Sequence, residues 1–441
     1  MFAYERELES DARDREDLLD YVERILRGIY GDSLRLARAG GRGASYVIAR
    51  VRRREGEVEA LLALDERPVL KVRSTSSRLG RELAEILERA IETYLSTGGR
   101  GLLHCVYVQG RPAVPTSRES LFKRLLEKLL LGNTAFALAL PMLLYCFAYA
   151  LVGSELAPIA LIAILAMLQA SSHRLLGLLG DWEVDRDHRH VYSISISVPM
   201  ELYDRALSIL RDGGRYRLKE RLLREARTSS GTRSVAELLR ERGLPVSEGD
   251  VRIEVVDLYG LVEGVFSRYR LRAPRVYLLN TIVPNAVASG IDPRASSLLL
   301  TSGLLVTLNE EELKAVIGHE ASHLKRRDML SLYAASSVLY LFQVYALPAV
   351  PALSSSLPAY AISSCALITL LFWTAKLLEI RADLEVARVL GLARSLSSAL
   401  EKICRRRPGR SKLLELLSWL AWDPHPPIGY RVRRLRELAA R

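Results

Sequence analysis

The segment His319-Glu320-Ala321-Ser322-His323 is the part of this 441-residue sequence most suited to chemistry. A helix advances about 3.6 residues per turn, so residues four apart lie on the same face. His319 and His323 can therefore present two imidazoles to one metal ion, with Glu320 placed beside them to act on a metal-bound water. The pattern predicts a zinc-dependent hydrolytic centre; the alternative is two histidines on a solvent-exposed helix face.

The residues before this segment favour a helix. Asn309 is a good N-cap, Glu312 stands at the capping-box position, and the intervening glutamates suit the positive end of the helix dipole. Apolar residues then recur with helical spacing: Leu313, Val316, Ile317, Ala321 and Leu324. The two histidines are therefore expected inside one well-signalled helix.

A catalytic zinc usually has three protein ligands and one open position for water. Glu379 is the candidate third ligand, and Asp383, one helical turn later, is placed to accept the second N–H of a ligating histidine. An isolated Glu-x-x-x-Asp pattern more often marks a solvated helix face. Here it follows an uncharged tract that itself follows the histidines, which makes it informative.

The sequence resembles the integral-membrane zinc metallopeptidases of the HtpX and CAAX prenyl protease family. Four stretches within about residues 270–441 carry the resemblance: Pro284–Gly290, Gly303–Leu305 leading to His323, Glu379–Asp383, and His425-Pro426-Pro427 followed by Arg431 and Leu435. The departures are small: Val287 stands where the family usually has Phe, and Asp423-Pro424 where Ser-Thr commonly precedes the His-Pro pair.

The resemblance implies His319, His323 and Glu379 as zinc ligands and Glu320 as the general base. It also implies that Asn285 lies near the substrate. His425 and Arg431 would face the cleft, where either could stabilise the oxyanion.

Two long uncharged tracts predict a membrane protein. Residues 132–173 contain no Lys or Arg and one acid, Glu155, and residues 329–375 contain no charged residue. About 20 apolar residues cross a bilayer, so each tract is long enough for a helical hairpin. The predicted spans are Thr134–Val152, Leu156–Ser172, Met329–Val350 and Leu357–Ala375. The alternative is a set of buried helices in a large soluble core.

The distribution of basic residues predicts the orientation. Lys and Arg flank both tracts, whereas the turns near Gly153 and within 348–358 lack them. By the positive-inside rule both termini and the catalytic domain are cytosolic, in a multi-pass protein of the cell membrane. The polar start Met1–Arg6 predicts no cleavable signal peptide. The net charge of +12 then suits anionic lipid headgroups; nucleic-acid binding is not favoured, because no recognition motif accompanies the charge.

The predicted fold is a mainly α multi-pass membrane protein with four transmembrane helices, a cytosolic zincin-like catalytic domain and a small N-terminal α+β domain. In the N-terminal region the pattern predicts helices over Glu5–Tyr30 and Ser77–Leu95, with strands between them, and Ser229–Thr232 reads as a linker. The four cysteines show no paired spacing and are expected to be reduced. The predicted segments are an accessory domain (1–120), hairpin 1 (121–175), a cytosolic insertion (176–250), the first catalytic part (251–328), hairpin 2 (329–376) and the second catalytic part (377–441).

These features predict a membrane-embedded zinc metalloendopeptidase with a cytosol-facing active site. HtpX-like proteolysis of membrane or misfolded proteins suits the four-span layout better than processing of one specific membrane-attached peptide. A different class of function is a zinc-containing membrane scaffold or adaptor with silent peptidase activity. The sequence fixes neither the natural substrate nor the oligomeric state.

Overall fold

The computed structural model divides the chain into two compact units, Met1–Cys105 with Ile194–Ile253, and Val106–Ser193 with Glu254–Arg441. The residues described are 2–7, 15–30, 33–41, 44–53, 56–64, 69–75, eight positions between 80 and 94, 100–112, 134–199, 202–211, 215–281, 283–354, 356–404, 419 and 422–440.

Strands and helices alternate irregularly along the described chain. The strands are β1 (Phe2–Glu7), β2 (Leu34–Gly41), β3 (Ala44–Arg53), β4 (Gly56–Leu64), β5 (Val69–Ser74), β6 (Arg100–Val108), β7 (Trp182–Val184), β8 (His190–Pro199), β9 (Val251–Asp257), β10 (Arg275–Leu279), β11 (Ala286–Ser289) and β12 (Ser297–Thr301). The α-helices are α1 (Arg15–Tyr30), α2 (Thr134–Ala170), α3 (Ser172–Leu179), α4 (Tyr203–Arg211), α5 (Arg215–Ala226), α6 (Gly231–Glu241), α7 (Leu258–Arg268), α8 (Ser302–Thr307), α9 (Glu310–Arg326), α10 (Asp328–Leu341), α11 (Pro351–Ser354), α12 (Leu357–Leu390), α13 (Ala393–Cys404) and α14 (Ile428–Ala439).

The first unit contains an antiparallel five-stranded sheet in the order β1-β5-β4-β3-β2. Helix α1 buries Leu18, Leu19 and Leu26 in the core that also contains Val58 and Val72 of the sheet. The described residues of this unit thus include a helix packed on a sheet. The sequence prediction of a helix from Glu5 is wrong at its start, because Phe2–Glu7 pairs with β5 as a strand.

Other boundaries in the first unit also differ from the sequence prediction. The described residues contain a strand β2 that the pattern did not indicate, and the predicted linker at Ser229–Thr232 leads directly into helix α6. Helix α6 buries Val235, Ala236 and Leu239, so its apolar face is used for packing. Strands β6, β8 and β9 form a three-stranded sheet in the order β6-β8-β9.

A four-stranded sheet in the second unit supports the site described below. Its order is β11-β12-β10-β7; β12 runs parallel to β10 and antiparallel to β11. All five residues of β12 are buried, which suits a central strand, whereas β11 forms an edge. The predicted strands at Arg275–Leu279 and Ser297–Leu300 are confirmed.

Helix α9 begins as the sequence predicted. The side chain of Asn309 accepts a hydrogen bond from the amide of Glu312, and the carboxylate of Glu312 accepts one from the amide of Asn309. Glu312 also accepts hydrogen bonds from Ser398 (2.6 Å) and Lys402 (2.8 Å) of α13. These contacts fix the start of α9 against a neighbouring helix, about four turns before its end.

A close approach of α9 to α12 occurs at Gly318, the residue before His319. A Cβ atom at this position would lie 2.4 Å from the Cδ1 atom of Leu390. Glycine therefore lets α9, beside its first histidine, approach the C-terminal end of α12.

Three described helical segments are long and apolar enough to cross a membrane: Met142–Ala170, Asp328–Ala346 and Leu357–Leu390. Large apolar side chains along them are exposed, including Met142, Val338 and Ile362 at 66–70%. This exposure is opposite to that of helices buried in a soluble core. The sequence analysis predicted four spans, whereas the described residues show three candidates, with a backbone break at Gly153 (φ 76°, ψ 176°) inside α2.

Candidate active site

His319, His323 and Glu379 bring three potential ligand atoms together. The Nε2 atoms of the two histidines are 3.1 Å apart. The Glu379 carboxylate lies 3.4 Å from Nε2 of His319 and 3.2 Å from Nε2 of His323. Since α9 supplies both histidines and α12 supplies the glutamate, the packing of these two helices forms the site.

These separations suit one zinc ion. Zinc–ligand bonds of about 2.0–2.1 Å in tetrahedral geometry place the ligand atoms about 3.3–3.4 Å apart. The three observed separations span 3.1–3.4 Å. Two imidazole nitrogens and one carboxylate oxygen are also a donor set that zinc prefers, so the residues fit the metal. Among the described residues, this is the cluster of three that meets the geometric requirements for holding a metal ion.

Both histidines lie in a strongly negative environment. Burial lowers the pKa of His319, but the carboxylates of Asp383 and Glu379 outweigh this effect and raise it above its ordinary value. Burial likewise opposes protonation of His323, but Asp328 and Glu379 raise its pKa to about 10. The surroundings therefore favour a positive charge between these side chains, whether a proton or a metal ion.

Asp383 lies directly behind His319. Its Oδ1 atom is 3.1 Å from Nδ1 of His319, within ion-pair distance although not aligned for a hydrogen bond. Arg431 donates two hydrogen bonds of 2.7 Å to the two oxygens of Asp383, and its Nη1 atom lies 3.1 Å from Glu379. The sequence analysis placed Asp383 next to a ligating histidine, and the structure brings the two together.

Arg431 does not face an open cleft in this structure. Its side chain is 5% exposed and its guanidinium contacts both Asp383 and Glu379. The geometry therefore places Arg431 on the protein side of the candidate ligands. Its expected role at the oxyanion stays a prediction without geometric support.

A second carboxylate, which sequence reasoning missed, lies behind His323. The Oδ2 atom of Asp328 is 2.8 Å from Nδ1 of His323, and Arg381 pairs with the same carboxylate. The only signal in the sequence was an acidic residue five positions after the histidine. That spacing does not put the two side chains on one face of a continuous helix.

Glu320 lies beside the candidate ligands and contacts the edge strand. Its Oε2 atom accepts a hydrogen bond of 2.7 Å from the backbone amide of Ala288 in β11. Burial raises the pKa of Glu320 above its ordinary value; the two histidines and the Ala288 amide act in the opposite direction, and Glu379 adds to the rise. A carboxylate with a raised pKa is a better proton acceptor at neutral pH, as a general base requires.

Asn285 precedes the same edge strand. Its side-chain oxygen accepts a hydrogen bond from the amide of Ala286, and its backbone bonds to Thr301 of β12. These contacts fix the start of β11 on the sheet. The sequence analysis expected Asn285 near the substrate. In the structure its side-chain oxygen is used within the protein, by the hydrogen bond from Ala286.

The described contacts of His425 are with Asp423 and not with His319, His323 or Glu379. Its side chain is 59% exposed, and Nδ1 lies 3.2 Å from Asp423. The backbone amide of His425 bonds to the same Asp423 carboxylate. The segment is thus a local turn just before α14, the helix that carries Arg431.

Comparisons with known proteins agree with this geometry. Residues 257–439, which contain every residue of the candidate site, match the model of peptidase family M48. This segment, which is less than half of the chain, is similar to peptidase family M48. M48 metallopeptidases in general depend on zinc, and His319, His323 and Glu379 form a possible metal site in this segment.

The chain is also similar to curated HtpX protease homologues. The HtpX protease homologue of Methylibium petroleiphilum is 33% identical over 164 residues, and that of Burkholderia cenocepacia is 34% identical over the same length. Each match covers 34% of this chain and 57% of the relative. The chain therefore spans a little over half of the length of these relatives.

Among solved structures, the chain has a weak likeness to Ste24p from S. mikatae. The sequence identity is 14%, with 71% of this chain and 83% of that chain covered. The TM-score of 0.33 is too low to support a shared fold.

Proposed function

We propose that this chain is a membrane-embedded zinc metalloendopeptidase whose active site faces the cytosol. The observation that carries the proposal is the placement of His319, His323 and Glu379 at zinc-like separations, with Glu320 beside them. A metal with three protein ligands retains an open position, which distinguishes a catalytic from a structural zinc site.

Zinc and the protein side chains would have separate roles in the reaction. When bound, zinc supplies a Lewis acid that polarises the scissile carbonyl and increases the acidity of water. Glu320 takes the proton from the attacking water and delivers it to the leaving amine. The Ala288 amide holds the Glu320 carboxylate in position through its 2.7 Å hydrogen bond. Asp383 holds His319 from the opposite side.

The edge strand β11 provides a natural place for an extended peptide. An unpaired strand edge offers backbone donors and acceptors to a substrate, which adds as a further strand. Asn285 at the start of this strand would bind the substrate backbone through the remaining polar atoms of its amide. His425, which is exposed, is the better placed of the two predicted oxyanion donors, because Arg431 is already engaged by two carboxylates.

The candidate site belongs just outside the bilayer. Helix α12 has 34 residues, or about 51 Å at 1.5 Å per residue, which exceeds a hydrocarbon core of about 30 Å. About 20 residues from Leu357 suffice to cross, so Glu379 would lie beyond the membrane end of the helix. The basic residues that flank the apolar tracts support a cytosolic orientation of that end.

The break at Gly153 supports a fourth span. With a positive φ and a non-helical ψ in the middle of α2, this glycine ends one helical segment and begins another. We propose that the two segments are the hairpin expected from the sequence, so that both termini are cytosolic.

Cysteine labelling tests this topology. In a variant in which the four native cysteines are replaced, a cysteine at Ser154 should react with a membrane-impermeant maleimide added to intact cells. A cysteine at Ser230, which is exposed in the first unit, should react only after the cells are opened. Labelling of Ser230 in intact cells would place that unit outside and refute the orientation.

The substrates are proposed by similarity to the relatives, which are named HtpX proteases. An active site at the membrane surface receives chains from the bilayer and from the cytosol. We therefore propose HtpX-like cleavage of membrane or misfolded proteins.

Hydrolysis of an unfolded protein is the direct test. The purified chain in detergent should cleave casein, lose this activity with a zinc chelator and recover it with added zinc. Glu320→Gln is the matched control, because it keeps the shape of the side chain without its basicity. Stoichiometric zinc binding without any hydrolysis would refute the proposed activity and favour the silent scaffold.

A further inference from the structure

A buried carboxylate outside the expected site residues contacts a candidate zinc ligand. Asp328 is 5% exposed, and its Oδ2 atom lies 2.8 Å from Nδ1 of His323. With Nε2 of His323 directed to Glu379, Nδ1 carries the N–H of the neutral ring and donates it to Asp328. Asp328 therefore lies next to Nδ1 of His323, just as Asp383 lies next to Nδ1 of His319.

An unusual backbone conformation brings Asp328 to this position. Arg327, between α9 and α10, has φ 54° and ψ 44°, a left-handed conformation that few residues other than glycine adopt. The turn ends α9 and immediately starts α10, so Asp328 points back towards the histidine one turn before the end of α9. Such a conformation costs energy and is retained where the surrounding contacts require it.

Arg381 pairs with the same carboxylate oxygen that lies next to His323. It pairs with Oδ2 of Asp328 and stands two residues after Glu379 on α12. The contacts thus form a chain from His323 to Asp328 at the start of α10, and from there to Arg381 on α12. Both helices are candidate membrane spans.

We infer that Asp328 is a positioning residue for His323 and that Arg381 acts through it, so that metal affinity depends on how the ends of α10 and α12 pack together. This inference rests on the proposed zinc site but not on proteolysis. A ligating histidine whose second nitrogen is held by a carboxylate has one ring orientation and a more basic metal-binding nitrogen. Loss of either effect weakens metal binding.

Zinc affinity of the full chain in detergent, measured by competition with a chromophoric chelator, tests the role of Asp328. Asp328→Asn keeps the size of the side chain and removes its charge, and should weaken zinc binding by about 10–100-fold, as typical for residues behind a ligand. Glu312→Gln is the matched control: it also changes a buried, paired carboxylate, at the start of α9 and away from the metal. It should leave zinc affinity unchanged.

The Co²⁺-substituted protein gives a second measurement that a purely structural residue would not alter. The visible absorption of cobalt reports the ligand field, so Asp328→Asn should shift the spectrum and Glu312→Gln should not. Should Asp328→Asn fail to fold, Asp328→Glu replaces it: the longer carboxylate should retain folding but shift the cobalt spectrum and weaken zinc binding.

A double-mutant cycle tests the role of Arg381. Arg381→Gln alone should weaken zinc binding, but it should add little in the Asp328→Asn background, because its effect passes through the carboxylate. Fully additive losses would refute the coupling. Wild-type zinc affinity and an unchanged cobalt spectrum in Asp328→Asn would refute the positioning role, provided that His319→Ala abolishes binding. Absence of zinc binding by the wild-type chain would instead refute the proposed zinc site itself.

Discussion

Arg431 donates one hydrogen bond to each carboxylate oxygen of Asp383, both 2.7 Å long. This bidentate geometry is the strongest arrangement available to the two groups. Because Asp383 also lies against His319, the arrangement runs from α14 through the acid of α12 to the histidine of α9. A residue near the C-terminus therefore supports the candidate metal site from behind.

We predict that Arg431→Ala lowers zinc affinity as well as peptidase activity. The substitution leaves Asp383 buried without its main positive partner, so the carboxylate can no longer be held against His319. The expected loss of zinc affinity is about 10–100-fold. Metal content after dialysis and chelator competition measure it. Arg436→Ala on the same helix, whose side chain is exposed and pairs with Glu401, is the control and should retain zinc.

Unchanged zinc affinity in Arg431→Ala would instead support the role that the family resemblance implies for Arg431, which is stabilisation of the oxyanion. An Arg431→Ala protein that keeps full zinc affinity but loses turnover would mean that the guanidinium leaves Asp383 to meet the oxyanion. The two readings are therefore separated by one metal measurement made alongside the activity assay.

Glu379 should be indispensable for metal binding, whereas Glu320 should not. Glu379→Ala removes the carboxylate whose two oxygens lie 3.4 Å from Nε2 of His319 and 3.2 Å from Nε2 of His323, and should remove most of the bound zinc. Glu320→Gln should keep the metal and the fold but lose about 10²–10⁴-fold in kcat, the usual worth of a general base. Full zinc retention in Glu379→Ala would move the third ligand elsewhere.

Activity should fall as the solution becomes acidic, because Glu320 must be ionised to accept a proton. Burial raises the pKa of Glu320, so the loss on acidification should begin at a higher pH than for an ordinary carboxyl group. The ionised form of Glu320 is present above this pKa and is lost as the pH drops through it, so activity falls with falling pH. A profile of kcat/KM against pH, with zinc in excess at each point, measures the effect.

Ala288→Pro tests whether the edge strand tunes this base. The substitution removes the amide that donates to Glu320, on the edge strand of the sheet, where proline is best tolerated. Without that hydrogen bond to the charged form, the pKa of Glu320 should rise further and the acidic limb should move to higher pH. An unchanged limb in a folded variant would contradict a role for the amide.

The helices that carry the candidate ligands were predictable from the sequence because their signals are local. Asn309 and Glu312 define the start of α9, and a spacing of four residues places His319 and His323 on one face. Glu379 and Asp383 follow the same rule on α12. Predicting that two residues share one face of a helix requires no knowledge of the rest of the fold.

The contacts that support these residues were not predictable in the same way. Asp328 reaches His323 through the left-handed turn at Arg327, and Ala288 reaches Glu320 from a strand 32 positions earlier. Both depend on how separate elements pack. The wrong prediction of a helix from Glu5 has a similar cause: residues 2–7 form a strand because they pair with β5.

His425 provides the last test, since the structure leaves its side chain 59% exposed just before α14. If His425 stabilises the oxyanion, His425→Ala should lower kcat by about 10²–10³-fold and leave KM and zinc affinity nearly unchanged. The reason is that a donor to the developing negative charge contributes in the transition state and hardly at all in the ground state. Asp423→Asn is the matched variant: it should alter activity less, because it changes the neighbour of the imidazole and keeps the donor. Activity within a few-fold of wild type in His425→Ala would remove His425 from the mechanism, and a loss of zinc would make it structural.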